Sequence, residues 1–310
     1  MPVRFHIPDI ARNFNFNMVL LMIMQEHPEM FRDGVQIASV YGEFPTSLWN
    51  GGVRAGGGFA PDDAEYVTKE LNSRGIAVNF TYTNSLLNQS HLQDDWCRKC
   101  LHTADRPDRL NGVIVASPVL EKHLRAKYPN YRILASDAIA YDSFDALCEA
   151  MEKYDSVLID YSLNAHPELL EKLPHKERAV LLVNCLCIPD CPRRKAHIQF
   201  LSRTQLAYSA HCNRFGPQAA FHNPETFACP YLEHTIYHAQ KQPTFLSPDK
   251  VFDTLVPMGF EQFRIEGRWS SPLSNLESYV CYLAKPEARD ELRLMYLLNL
   301  QQNGILRYDG

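Results

Sequence analysis

Short β-branched runs alternate with amphipathic stretches along most of this chain. Residues 35–41 alternate apolar and polar positions and read as a strand, which runs into a glycine-rich loop over 51–58. Pro61, followed by Asp62 and Asp63, opens a helix predicted over 61–73, since proline suits a first turn and carboxylates complement the helix N-terminus. Further strands are predicted at 76–82, 113–116, 132–135, 157–161 and 180–184. Between them fall helices at 118–127, 143–154 and 167–173, and a polar helical stretch through Cys97 and Cys100. A leading helix is predicted over 18–26. Beyond Cys191 the regularity breaks, and 191–242 is rich in His and Pro, helical only over 196–208. A short seventh strand at 244–246, a helix over 248–258, an eighth strand at 262–266 and a final helix over 287–300 complete the pattern.

Strand–helix alternation implies a parallel sheet covered by helices, and eight strands imply closure into a TIM-like (β/α)8 barrel. An open doubly wound sheet is the alternative. A barrel alone takes about 250 residues, so the chain of 310 residues reads as a single α/β barrel domain. Its parts are a helical lead-in over 1–34, a Cys/His-rich insertion over 191–242 after strand six, and a helical segment over 270–310.

In such barrels the site lies at the C-terminal strand ends. Those ends carry Glu43, Tyr82, Asp160, Asn184, Glu266 and Arg268, a polar set at the edges of apolar strands. Glu266 and Arg268 are separated only by Gly267. Strand alternation sends both to one face, as an acid and a base at the barrel mouth. The sixth strand then runs into VLLVNCLCIPDC, with Cys185, Cys187 and Cys191 inside seven residues. With Cys212 and Cys229 the spacing is C-x3-C-x20-C-x16-C from Cys187, or C-x5-C-x20-C-x16-C from Cys185. Soft thiolates gathered at a strand end suit an iron–sulfur cluster or zinc. Cys185 and Cys187 point to opposite sides if the segment stays extended, so one of the two serves, and Cys187 is preferred because the loop can turn before Pro189.

Composition narrows the function classes. The chain has 31 basic and 36 acidic residues, a net charge of −5, which gives no support for broad nucleic-acid binding. Its opening, MPVRFHIPDIARNFNFN, lacks an apolar signal core. No stretch approaches the roughly 18 apolar residues of a membrane span. The expectation is a cytoplasmic protein with reduced cysteines.

The segment LSPDKVFDTLVPMGFEQFRIEGRWSSPLSNLESYV, residues 246–280, resembles the collagenase-like peptidase (U-32) family. The likeness lies in Ser247 and Pro248 opening a helix, Gly259 ending it, then Phe263, Arg264, Ile265, Glu266, Gly267 and Arg268, and Tyr279 beyond. Arg264 stands where the family has Lys. The family also carries four cysteines after a mid-barrel strand, and Cys187, Cys191, Cys212 and Cys229 resemble that set with altered spacing. The resemblance covers the second half of the chain, and is nearest in kind to the iron–sulfur hydroxylase members. It implies a 4Fe–4S cluster held by those four cysteines, with zinc as the alternative. It also implies oxygen-independent hydroxylation or related redox chemistry on a small, aromatic or other, substrate. No G-x-S-x-G or H-E-x-x-H motif points to hydrolysis. A peptidase, or a non-catalytic cluster-bearing partner subunit of a homologous or redox complex, are the rival readings.

On this reading Glu266, Arg268, Asp160 and Tyr82 are the catalytic candidates. Glu43, Trp49, Asn50, Arg54 and Asn184 are the substrate-binding candidates, with Arg54 assigned to an anionic group because guanidinium meets carboxylate in a bidentate fork. The glycine loop has no G-K-[ST] and is no phosphate loop. His197, His211 and His222 crowd the insertion as possible substitutes for a cysteine, and Arg193 and Arg194 could offset thiolate charge.

Overall fold

The computed structural model describes residues 2–51, 61–229, 235–268 and 270–306. Eight parallel strands close into a barrel in chain order. They are β1 (Val3–Pro8), β2 (Val35–Gly42), β3 (Ala77–Tyr82), β4 (Gly112–Val115), β5 (Arg132–Ala135), β6 (Ser156–Leu158), β7 (Ala179–Leu182) and β8 (Gln262–Arg264). The helices are α1 (Phe14–Glu26), α2 (Pro61–Ser73), α3 (Asp95–Thr103), α4 (Pro118–Lys127), α5 (Phe144–Lys153), α6 (Pro167–Lys172), α7 (Arg194–Phe215), α8 (Ile236–Ala239), α9 (Pro272–Leu283) and α10 (Arg289–Gln302). Among the described residues no helix is long and apolar enough to cross a membrane.

Eight strands agree with the sequence expectation, with one exchange of members. The lead-in is not purely helical: Val3–Pro8 pairs with both β2 and β8 and closes the barrel. Residues 244–246 are not a barrel strand. Both edges of β7 are already taken by β6 and β8, so Leu246 only donates its N–H to the Val183 carbonyl, at 3.0 Å, past the end of β7. The strand read as the sixth is therefore the seventh of the barrel.

The barrel core has two parts because side chains alternate along each strand. Tyr41, Ile114, Leu134, Leu158 and Val180 form a separate apolar plug. Phe5, Ile7, Val40, Phe80, Val113, Phe263 and Ile265 belong to the main core beneath the helices. There Phe5 meets Phe263 at 5.8 Å and Tyr282 of α9 at 6.2 Å between ring centroids. Below the plug the floor is polar: His6 Nδ1 and Ser39 Oγ lie 2.7 Å apart, and Asn79 Nδ2 donates to Ser39 Oγ at 2.9 Å. Burial, then the charges of Arg132 and Arg264, push His6 down to about 3, so it stays neutral.

Local chemistry sets the helix starts. Ser117 accepts from Leu120 N at 3.4 Å and Ser271 from Ser274 N at 3.2 Å, each followed by proline at the first helical position. Helix α7 runs 22 residues without a glycine or proline and stops at Gly216, whose φ is +88°. The expected helix over 196–208 is thus one part of a longer element. Helix α7 is tied across the mouth: Gln205 Nε2 donates to the Ser47 carbonyl at 2.8 Å, and Asn84 Nδ2 donates to the Ser202 carbonyl at 3.2 Å.

Candidate active site at the barrel mouth

A cavity of about 390 Å³ opens between the strand ends and the first two turns of α7. Arg194, His197, Ile198 and Leu201 line it from one face of α7, the i, i+3, i+4, i+7 stripe of a helix. Cys185, Cys187, Cys191 and Cys229 line it from the β7 loop and the segment after α7. Thr81, Arg264, Glu266 and Arg268 line it from the barrel. A second chamber of about 130 Å³ reaches into the barrel, walled by Tyr41, Leu158, Val180 and Leu182, and shares Asp137, Leu182, Arg264, Glu266 and Arg268 with the first.

Glu266 and Arg268 share the cavity, although β8 ends at Arg264, short of the expected 262–266, and both lie in the segment beyond it; they do not pair with each other. Arg268 Nη1 donates to the Glu43 carboxylate at 2.9 Å and to Thr81 Oγ1 at 3.1 Å, and Thr81 donates to Glu43 at 2.5 Å. The side chains of Arg268 and Glu43 are only 16% and 4% exposed. Burial pushes the Glu43 carboxyl up although Arg268 and Thr81 oppose it, while Glu43 and neighbouring acids keep Arg268 charged against its own burial. Gly267 is required between them by close approach. A Cβ there would lie 2.1 Å from Asn275 Oδ1, and Asn275 Nδ2 donates to the Gly267 carbonyl at 3.1 Å.

The Glu266 carboxylate accepts the Leu186 N–H at 3.0 Å and so holds the cysteine loop. Asn184 holds the backbone of the same residue: its Nδ2 donates to the Glu266 carbonyl at 3.0 Å and its Oδ1 accepts the Glu266 N–H at 2.7 Å. Asn184 is buried and supports the site from behind; it does not line the cavity. Asp160 accepts from Ser162 N at 2.9 Å and pairs with Arg194, whose other partner is Asp137 at 2.9 Å. Arg194 also stacks over Tyr161, 4.6 Å from the ring centre.

Of the catalytic and substrate-binding candidates among the described residues, only Glu266 and Arg268 line the cavity; Glu43, Asp160 and Asn184 support it through their partners, and Tyr82, Trp49 and Asn50 lie away from it. Tyr82 faces outward from β3, edge-on to Trp49 at 5.3 Å, with its hydroxyl 3.5 Å from the Cys97 carbonyl under α3. Alternation decides this, since Thr81 beside it is the inward residue. Trp49 is fully buried and donates to the His91 carbonyl at 2.7 Å. Asn50 is buried too, and its carbonyl accepts from Asn84 Nδ2 at 3.2 Å. They anchor the loop whose Gly51 reaches the cavity, where a Cβ would lie 2.3 Å from the Thr83 carbonyl. Arg54 lies outside the described residues.

The cysteines divide unexpectedly. Cys185 lies at the cavity with Cys187, Cys191 and Cys229, whereas Cys212 does not. Cys212 sits near the end of α7, and 18 residues of helix from Arg194 carry it about 27 Å along the axis. The sequence leaves room between Cys191 and Cys212 for an outgoing helix and a return, but no residue in α7 breaks the helix before Gly216. Cys187 N donates to Cys185 Sγ at 3.4 Å. Burial pushes both the Cys185 and Cys187 thiols up, so unligated they stay protonated. The donor chemistry fits a thiophilic metal, with Cys185 in place of Cys212. Among the described residues, however, no three Cys, His, Asp or Glu side chains stand gathered around one ion position. Binding there requires the 185–191 loop to draw in and release protons.

Arg264 is the residue that the sequence undervalued, as a conservative replacement for lysine. Its guanidinium lies over the Tyr41 ring at 3.7 Å from the centre, and Tyr41 OH donates to the Ile265 carbonyl at 2.7 Å. The signal was present: Gln262, Arg264 and Glu266 are polar at every second position, with Phe263 and Ile265 apolar between them.

No protein-family model and no curated protein matches this chain. Among solved structures, a U32 peptidase is similar at 15% identity and a TM-score of 0.49, over 87% of this chain and 95% of that one.

Proposed function

We propose that this chain is an iron–sulfur enzyme whose barrel mouth holds a small substrate beside the cysteines. The observation that carries the reading is the convergence of Cys185, Cys187, Cys191 and Cys229 on the same cavity as Glu266, Arg264 and Arg268. The resemblance at 246–280 supplies the reaction class, oxygen-independent hydroxylation or related redox chemistry. The substrate-sized space beside the sulfurs favours a catalytic cluster over a structural one, since structural metal sites are closed. A bound cluster supplies electron transfer, its potential set by burial and hydrogen bonds.

The chain's own residues do the rest. Glu266 fixes the cysteine loop through the Leu186 N–H. Arg194, paired with Asp137 and Asp160 and lying over the Tyr161 ring, fixes the start of α7 beside the thiol loop. Ile198, Leu201 and Phe227 exclude water from above. Purification without oxygen, with iron and sulfide analysis and an absorption spectrum, tests the reading. Iron and acid-labile sulfide in the full chain, lost in Cys191→Ala, are expected. Zinc, or a colourless metal-free protein that cannot be reconstituted, overturns it.

A further inference from the structure

We propose that Arg264 recognises the carboxylate of a small organic acid, bound with its head in the inner chamber of the barrel and its apolar body toward the cysteines. The inference rests on the reading of the mouth as a substrate site, not on the metal.

The argument starts from charge. Arg268 is neutralised by Glu43 and Arg194 by Asp137 and Asp160. Arg264 has no carboxylate within ion-pair distance among the described residues, yet it lies at the junction of both chambers. The Tyr41 ring lies 3.7 Å from the guanidinium carbon and covers one side of the group. The edge donors of a guanidinium form the fork that a carboxylate meets bidentately. Tyr41 cannot swing away, because its hydroxyl is engaged with the Ile265 carbonyl. The arginine's charge is felt below as well, since it helps keep His6 neutral on the floor.

Size and polarity narrow the ligand. The inner chamber of about 130 Å³ holds roughly four waters' worth of liquid at ~30 Å³ each. That suits a carboxylate on a short stem. Its walls, Leu158, Val180 and Leu182, are apolar, which strengthens a charge contact. Of the two cations bordering this chamber, Arg268 is paired with Glu43 and Arg264 alone has no carboxylate partner among the described residues, so there is charge for one carboxylate and a monoacid fits better than a diacid. The outer cavity offers Leu186, Ile198, Leu201 and Phe227 to an apolar or aromatic body.

The test is calorimetric titration of the full chain, purified without oxygen, with phenylacetate, its neutral isostere phenylacetamide, and 2-phenylethylamine. Wild-type protein is expected to bind phenylacetate at least tenfold more tightly than the amide or the amine. That preference should vanish in Arg264→Gln and weaken several-fold in Arg264→Lys, which keeps the charge but loses the fork. Val180→Phe, which fills the inner chamber and leaves Arg264 in place, should also abolish it, and thermal melts confirm folding of each variant. Equal binding of acid and amide, a preference for the amine, no binding of phenylacetate, or a preference that survives Arg264→Gln overturns the inference. Iron and sulfide are measured on the same samples. Iron without carboxylate preference removes this inference alone, and carboxylate preference without iron removes the cluster reading alone.

Discussion

Asn184 and Glu266 form a closed ring of two hydrogen bonds, side-chain amide to backbone peptide, at 3.0 and 2.7 Å. The amide of Asn184 imitates a further residue of strand ladder beyond Leu182 and Arg264, where β7 and β8 part. It leaves the Glu266 carboxylate free to reach Leu186 in the cysteine loop. Asn184→Ala strands a buried donor and acceptor, so urea unfolding should show a loss of about 1–3 kcal/mol. Iron content should fall as well, because the loop that Glu266 holds loses its base. Unchanged stability would mean that the ring contributes nothing.

The Glu43–Arg268 pair is buried on both sides, and removing one partner leaves an uncompensated charge. Arg268→Met should destabilise the protein by about 3 kcal/mol or more, whereas the double variant Glu43→Gln/Arg268→Met should recover much of that. Chemical denaturation of the two single variants and the double completes the cycle. Strict additivity would show that the two groups are not coupled.

The cysteines should separate by position. Iron should be lost in Cys187→Ala, Cys191→Ala and Cys229→Ala and reduced in Cys185→Ala, while Cys212→Ala should keep it. Metal analysis of the five variants, purified without oxygen, decides this. Loss of iron in Cys212→Ala with retention in Cys185→Ala would restore the ligand set suggested by sequence resemblance.

The buried His6 makes the fold acid-labile. Its folded pKa of about 3 lies below the ordinary histidine value of about 6.5. The unfolded chain therefore takes up the proton first as pH falls. Its contribution is fully present above about pH 6.5 and is lost progressively down to about pH 3, on the order of 5 kcal/mol at most. His6→Gln should flatten the stability profile across that window. A profile as steep as the wild type's would assign the acid lability to other groups.

Tyr82 should prove structural. Tyr82→Phe removes a long hydroxyl contact with the Cys97 carbonyl, at 3.5 Å, and one with the Cys100 thiol, both on the outer face of β3. Stability should change by no more than about 1 kcal/mol, with iron content and phenylacetate binding unaltered. A selective loss of either would place the tyrosine in the site.

Sequence alone determined the barrel, the helix starts at Pro61, Pro118 and Pro167, and the edge of the barrel where polar chemistry gathers. These depend on local alternation, caps and turn residues, which act within a few positions of one another. It also placed Glu266 and Arg268 together at the cavity, although β8 ends at Arg264 and the loop beyond it, held by Asn184 and Asn275, sets their positions. It did not show that Val3–Pro8 closes the barrel, since Arg4 and His6 look like surface residues until a polar floor receives them. Nor did it show that Arg268 pairs with Glu43, 225 residues away, or that Arg264 lies over the Tyr41 ring. Cys212 looked equivalent to the other cysteines by spacing, and only the unbroken run of α7 carried it away. Spacing counts residues, but distance depends on whether the intervening chain turns back, and that is decided by what the helix packs against.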